Sequence, residues 1–106
     1  MITEIPVADL TIARQAGALL IDVREPDEYE DGHVPGAVSM PLGVLPVRTL
    51  ELPKDSPVYV ICQMGGRSMQ AAMFLDRAGY DARSVAGGTN AWISAGHPLA
   101  TGRAMG

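Results

Sequence analysis

The chain holds a single cysteine, Cys62, and five residues after it stands Arg67, with Gln63, Met64, Gly65 and Gly66 between them. Thiol and guanidinium at this spacing around two glycines are the parts of a nucleophilic site. The thiolate attacks, a tight loop turns backbone N–H groups toward developing negative charge, and the arginine supplies a fixed cation with several donors. A lone cysteine by itself reads first as a core thiol, because free cysteine is among the most buried residue types. Its neighbourhood in the chain favours the other reading.

Residues 58–61, V-Y-V-I, are a β-branched and aromatic run opened by Pro57, the pattern of a buried strand. Cys62 ends that run, and Gly65 and Gly66 allow the sharp reversal that follows. From Ser68 the period becomes helical. Ser68, Ala71, Ala72, Leu75, Ala78 and Gly79 form one stripe of mostly small residues that lets a helix approach a sheet closely. A loop running from strand to helix N-terminus gathers orphan N–H groups and the positive end of the helix dipole at one point, so anions bind there and a thiolate forms readily. Cys62 is expected to be a small, exposed side chain at the loop end, contributing little to packing.

The segment Cys62-Gln63-Met64-Gly65-Gly66-Arg67-Ser68 resembles the active-site loop of the rhodanese (sulfurtransferase) family. Two further segments agree. Residues 20–29, L-I-D-V-R-E-P-D-E-Y, followed by G-H-V-P-G-A at 32–37, are similar to the family's amino-terminal signature. G-G-T-N-A-W at 87–92 is similar to its carboxy-terminal one. The resemblance implies an α/β fold, a rhodanese-like open, mainly parallel sheet flanked by helices, as a single domain over residues 1–106. It also implies Cys62 as catalytic nucleophile, with Gln63, Met64, Gly65, Gly66, Arg67 and Ser68 around the substrate.

Composition narrows the function classes. With 106 residues, 47% hydrophobic and 19% charged, the chain has the size and make-up of one globular domain. A net charge of −4 and a single lysine, Lys54, argue against a nucleic-acid or membrane surface. One cysteine excludes an internal disulfide, and His33 and His97 lack metal-ligand spacing, so no metal and no cofactor is expected. No signal-like N-terminus or long apolar run is present, which points to a cytoplasmic protein. Monomer is the favoured oligomeric expectation.

The remaining elements must hold the loop. Residues 1–5 read as an edge strand, and Pro6 opens a helix to about Ala16 that Gly17 stops. Residues 18–23 read as a strand buried on both faces, its end beside that of 58–61. Pro26 starts a short acidic helix to Asp31. Residues 37–40 form a third strand, and 41–52, interrupted by Pro46, hold a short or broken helix that borders the pocket. The central helix stops at Gly79. A further strand at 82–86 leads through Gly87-Gly88 into a last helix capped by Thr89 or Asn90, with Trp92 as its core anchor. Residues 97–106 read as a frayed tail.

Asp22 and Arg24, at the carboxyl end of a sheet strand, either line the site or tie loops together; opposite charges that satisfy each other favour the second role. His33, in a turn-rich stretch, is likewise read as structural, since a thiolate held by backbone dipoles needs no general base. These three are second to the loop in the reading.

Ligands in open α/β sheets bind beyond the carboxyl ends of the strands, where Cys62 lies. The leading expectation is therefore transfer of a sulfane sulfur from thiosulfate or a persulfide, through a Cys62 persulfide, to a thiophilic acceptor. Donor and acceptor are small molecules, with a protein acceptor as the other option. Cysteine-dependent phosphatases and arsenate reductases share the architecture. The resemblance implies four residues between cysteine and arginine in sulfurtransferases and five in the phosphatase relatives; here there are four. A non-catalytic binding module ranks last, since the cysteine and arginine are both present. The uncharged Gln63 and Met64 favour an organic or protein-bound persulfide over thiosulfate.

Overall fold

A computed structural model describes residues 2–103. Five strands, β1 (Thr3–Ile5), β2 (Leu19–Asp22), β3 (Val38–Ser39), β4 (Val58–Ile61) and β5 (Ala82–Val85), form one sheet in the order β1-β5-β4-β2-β3. Every pairing is parallel. The helices between them are α1 (Val7–Gln15), α2 (Pro26–Asp31), α3 (Leu45–Arg48), α4 (Gly66–Arg77) and α5 (Gly88–Ser94), with a 3-10 turn at Thr49–Glu51 after α3.

Strand alternation sorts the core into two layers. Ile21, Val58 and Val60 point to one face, where they meet Leu45 of α3 and Ala71, Ala72 and Leu75 of α4. Leu20, Tyr59 and Ile61 point to the other, against Leu10 of α1, Tyr29 of α2 and Trp92 of α5. A parallel sheet covered on both sides explains the unbroken apolar runs of β2 and β4. The register pairs Asp22 with Ile61, so the ends of β2 and β4 lie side by side as their sequences suggest.

Several elements differ from expectation in their boundaries. α4 begins at Gly66, two residues before Ser68, because Gly65 at φ +117° takes the cap conformation that L side chains rarely adopt. Its small-residue stripe is buried at Ser68, Ala71, Ala72 and Leu75, but Ala78 and Gly79 are exposed where the helix leaves the sheet. Gly87, not Thr89 or Asn90, caps α5; both residues lie inside the helix, and their groups serve the loop instead. Pro46 sits in the first turn of α3, where a missing N–H costs nothing, and the segment breaks into the 3-10 turn.

The tail expectation is corrected for residues 97–103. His33 and Ala100 exchange two backbone hydrogen bonds at 2.9 Å, Trp92 Nε1 donates to Pro98 O at 2.7 Å, and Gly102 N donates to Glu30 O at 2.8 Å. These bonds satisfy groups that would otherwise need water, so the segment is held down. Residues 104–106 of that tail, and Met1 of the first strand, lie outside the described residues. No described helix is long and apolar enough to cross a membrane.

Candidate active site

The site forms where β4 ends and α4 begins. Cys62 is 1% exposed and packs within the core layer under α4, which corrects the expectation of an exposed loop-end thiol. The loop folds back over the sulfur instead of leaving it at the surface. Gly65 N donates to Sγ at 3.1 Å, and the Ser68 hydroxyl lies 3.4 Å from it. Burial pushes the thiol pKa up, but the Ser68 hydroxyl and the N–H groups of Ser68, Gly65 and Met64 outweigh it, and the net shift is downward. A buried sulfur among donors is suited to carry negative charge.

The floor of the loop is held from a second helix. Thr89 N and Thr89 Oγ1 both donate to Cys62 O, at 2.8 and 3.0 Å, and Asn90 N donates to Gln63 O at 3.1 Å. The first turn of α5 thus gives its unpaired donors to the carbonyls of the reactive loop. Gly88 makes the approach possible: a Cβ there would stand 2.5 Å from Cys62 O and 2.7 Å from Gln63 O. Sequence reasoning named Thr89 only as a cap and missed this role; the adjacent glycines at 87 and 88 were the available signal. Behind the sulfur, Ser84 of β5 is fully buried and its hydroxyl is 2.8 Å from that of Ser68.

Gln63 and Met64 behave differently. The Gln63 side chain is held at both ends, accepting from Arg24 Nη1 at 2.8 Å and donating to Asn90 Oδ1. Met64 stands out into solvent, 73% exposed. Asp22 and Arg24 form a buried pair, with Arg24 Nε and Nη2 donating to the carboxylate at 3.0 and 2.8 Å and Nη2 also reaching Gly32 O. They tie β2 to the following turn, and through Gln63 Arg24 also supports the loop. His33 is not brought to the loop. Its imidazole is buried and stacked on Tyr29 at 3.7 Å, and Nδ1 donates to Tyr29 O.

Arg67 forms a two-point ion pair: Nη1 donates to Glu28 Oε1 at 2.7 Å and Nη2 to Glu28 Oε2 at 2.9 Å. The Arg67 hydrogen bonds are the main cause that lowers the Glu28 pKa to about 2. Glu28 also accepts from Glu25 N, closing a capping box at the start of α2. Sequence reasoning read Glu28 only as part of a short acidic helix and missed its pairing with Arg67. A cleft of about 240 Å³ opens beside the loop, lined by Arg24, Glu28, Asp31, Gln63, Ile93 and Leu99 among others.

Comparison with known proteins identifies the family. The rhodanese-like domain family matches residues 7–95. A sulfurtransferase of Allochromatium vinosum is 36% identical over 93% of this chain and 95% of its own length. A thiosulfate sulfurtransferase of Pseudomonas syringae is 35% identical over 83% of this chain and 84% of its own. Among solved structures, a rhodanese-related protein from Thermoplasma volcanium superposes with a TM-score of 0.86 at 34% identity, covering 92% of this chain and 97% of that one. With a family match running from α1 through α5 and a relative aligned over nearly the whole of both chains, the chain belongs to the rhodanese-like sulfurtransferase family.

Proposed function

We propose that the protein moves a sulfane sulfur from a donor to a thiophilic acceptor through a persulfide on Cys62. One observation carries the reading: a buried sulfur whose pKa is lowered by the Ser68 hydroxyl and three loop N–H groups, with no other reactive thiol in the chain. The Cys62 thiolate attacks the outer sulfur of the donor. A new S–S bond forms as the donor's S–S bond breaks, and the bonding pair leaves with sulfite or an alkylthiolate. The terminal sulfur then carries the negative charge, and the N–H groups facing the loop stabilise it as they stabilised the thiolate. A nucleophilic acceptor such as cyanide or a thiolate takes that sulfur, and the Cys62 thiolate returns. Electrons balance in both steps without an external oxidant or reductant.

The test is the intact mass of the protein after incubation with thiosulfate or an alkyl persulfide. A gain of one sulfur atom, lost again on adding cyanide and absent in Cys62→Ala, is the expected result. A protein that gains no sulfur from any donor refutes the reading and returns the phosphatase and binding-module alternatives.

A further inference from the structure

Two cations stand near the reactive loop, and both are already engaged. Arg24 is spent on buried Asp22, and Arg67 is spent on Glu28 through two hydrogen bonds of 2.7 and 2.9 Å. Asp31 adds a further exposed carboxylate on the rim of the cleft. Among the described residues, the charged side chains lining the cleft are Arg24, Glu28 and Asp31, one cation against two carboxylates. Backbone N–H groups are the remaining donors of the cradle, and they are directed at the sulfur itself.

We infer that Glu28 determines donor selectivity: by holding the Arg67 guanidinium, it disfavours dianionic donors such as thiosulfate and leaves the site to persulfides of low charge. The inference rests on the persulfide reading above. A thiosulfate dianion that enters this cleft lies beside the Glu28 carboxylate, and one that engages Arg67 must displace it; both oppose binding. An alkyl persulfide brings its sulfur to Cys62 with at most one charge, on the sulfur that the loop N–H groups receive. Its organic part can lie along Ile93 and Leu99, which are exposed on the cleft wall. Glu28 remains ionised through the working pH range, so the effect is a fixed feature of the site.

Glu28→Gln tests this while keeping a side-chain oxygen for the Glu25 N–H, so the start of α2 retains its box. Cyanide-coupled turnover is measured with thiosulfate and with 2-hydroxyethyl persulfide, whose organic part is uncharged. The expected result is a rise of about tenfold in the thiosulfate-to-persulfide ratio of kcat/KM, carried mainly by a lower KM for thiosulfate, the size of a partly screened charge interaction. Glu28→Asp, which restores the charge, should bring the ratio back toward that of the parent. A purely structural role would lower both donors together and leave the ratio still, which overturns the inference.

Asp31→Asn provides a second readout, since the exposed Asp31 side chain makes no hydrogen bond among the described residues. It should lower the thiosulfate KM in the same direction by about twofold. No change there overturns the electrostatic argument even if Glu28→Gln fails to fold. A parent protein that forms the Cys62 persulfide but shows no ratio change in Glu28→Gln sinks the selectivity inference alone. A parent that forms no persulfide from either donor sinks both.

Discussion

Ser68→Ala isolates what stabilises the nucleophile. The Ser68 hydroxyl has one proton and three neighbours: Cys62 Sγ at 3.4 Å, Gly65 O at 3.1 Å and Ser84 Oγ at 2.8 Å. With Cys62 as a thiol, its S–H points to Ser68 Oγ and the Ser68 proton goes to Gly65 O. Once Cys62 is a thiolate, the Ser68 proton must turn to the sulfur, and Ser84 becomes the donor that supports Ser68 from behind. Removing the hydroxyl deletes a hydrogen bond to a charged acceptor, worth ~1.5–3 kcal/mol, and the 3.4 Å separation argues for the lower end. At 1.36 kcal/mol per pKa unit, this gives about a tenfold smaller thiolate fraction at any pH below the thiol's own pKa. The same loss in Ser84→Ala, one bond removed from the sulfur, should be about threefold. The assay is the second-order rate of iodoacetamide alkylation against pH, with thermal unfolding alongside to check the fold. Superimposable curves for the parent and Ser68→Ala would show that backbone N–H groups alone hold the thiolate, and the hydroxyl-chain argument would be wrong.

Other consequences follow from the same geometry. Cys62→Ala should abolish persulfide formation and also cost about 1 kcal/mol of stability in urea unfolding, because a buried sulfur is removed from the core; full stability would contradict the observed packing. Arg24→Ala leaves the fully buried Asp22 without its cation, so a loss of about 3–5 kcal/mol is expected, and one below 1 kcal/mol would show the pair to be dispensable. The folded-state pKa of Glu28 is lowered from 4.5 to about 2, so its ionised form adds stability above pH 4.5 that is lost as the pH falls toward 2. The stability gap between the parent and Glu28→Gln should therefore be about 1 kcal/mol at neutral pH after solvent screening and close by pH 2; a gap independent of pH would refute the ion pair. Met64→Lys, at a side chain that is 73% exposed, should fold normally and lower the thiosulfate KM; an unchanged KM would mean that position 64 does not meet the donor.

The parts of the molecule legible in the sequence are those set by short stretches of backbone. The β-branched run ending at Cys62, the glycines at 65 and 66 and the small stripe from Ser68 to Leu75 specify a strand, a tight loop and a helix from local periodicity and permitted φ values alone. The same logic placed the end of β2 beside β4, since a run apolar on both faces belongs inside a parallel sheet. Which groups support the reactive loop and its side chains was decided only in three dimensions. Ser84 comes from β5, Thr89 from the first turn of α5 and Glu28 from α2, and nothing in the local pattern of the loop names any of them. Arg67 illustrates the reason: its charge and reach are evident from residue type, but a long flexible cation takes whichever anion the fold brings within range. Here that is a carboxylate 39 residues earlier, not the sulfur five residues away. Burial of Cys62 has the same origin, because exposure is a property of how layers close over a loop, and the chain alone carries the loop without the layers.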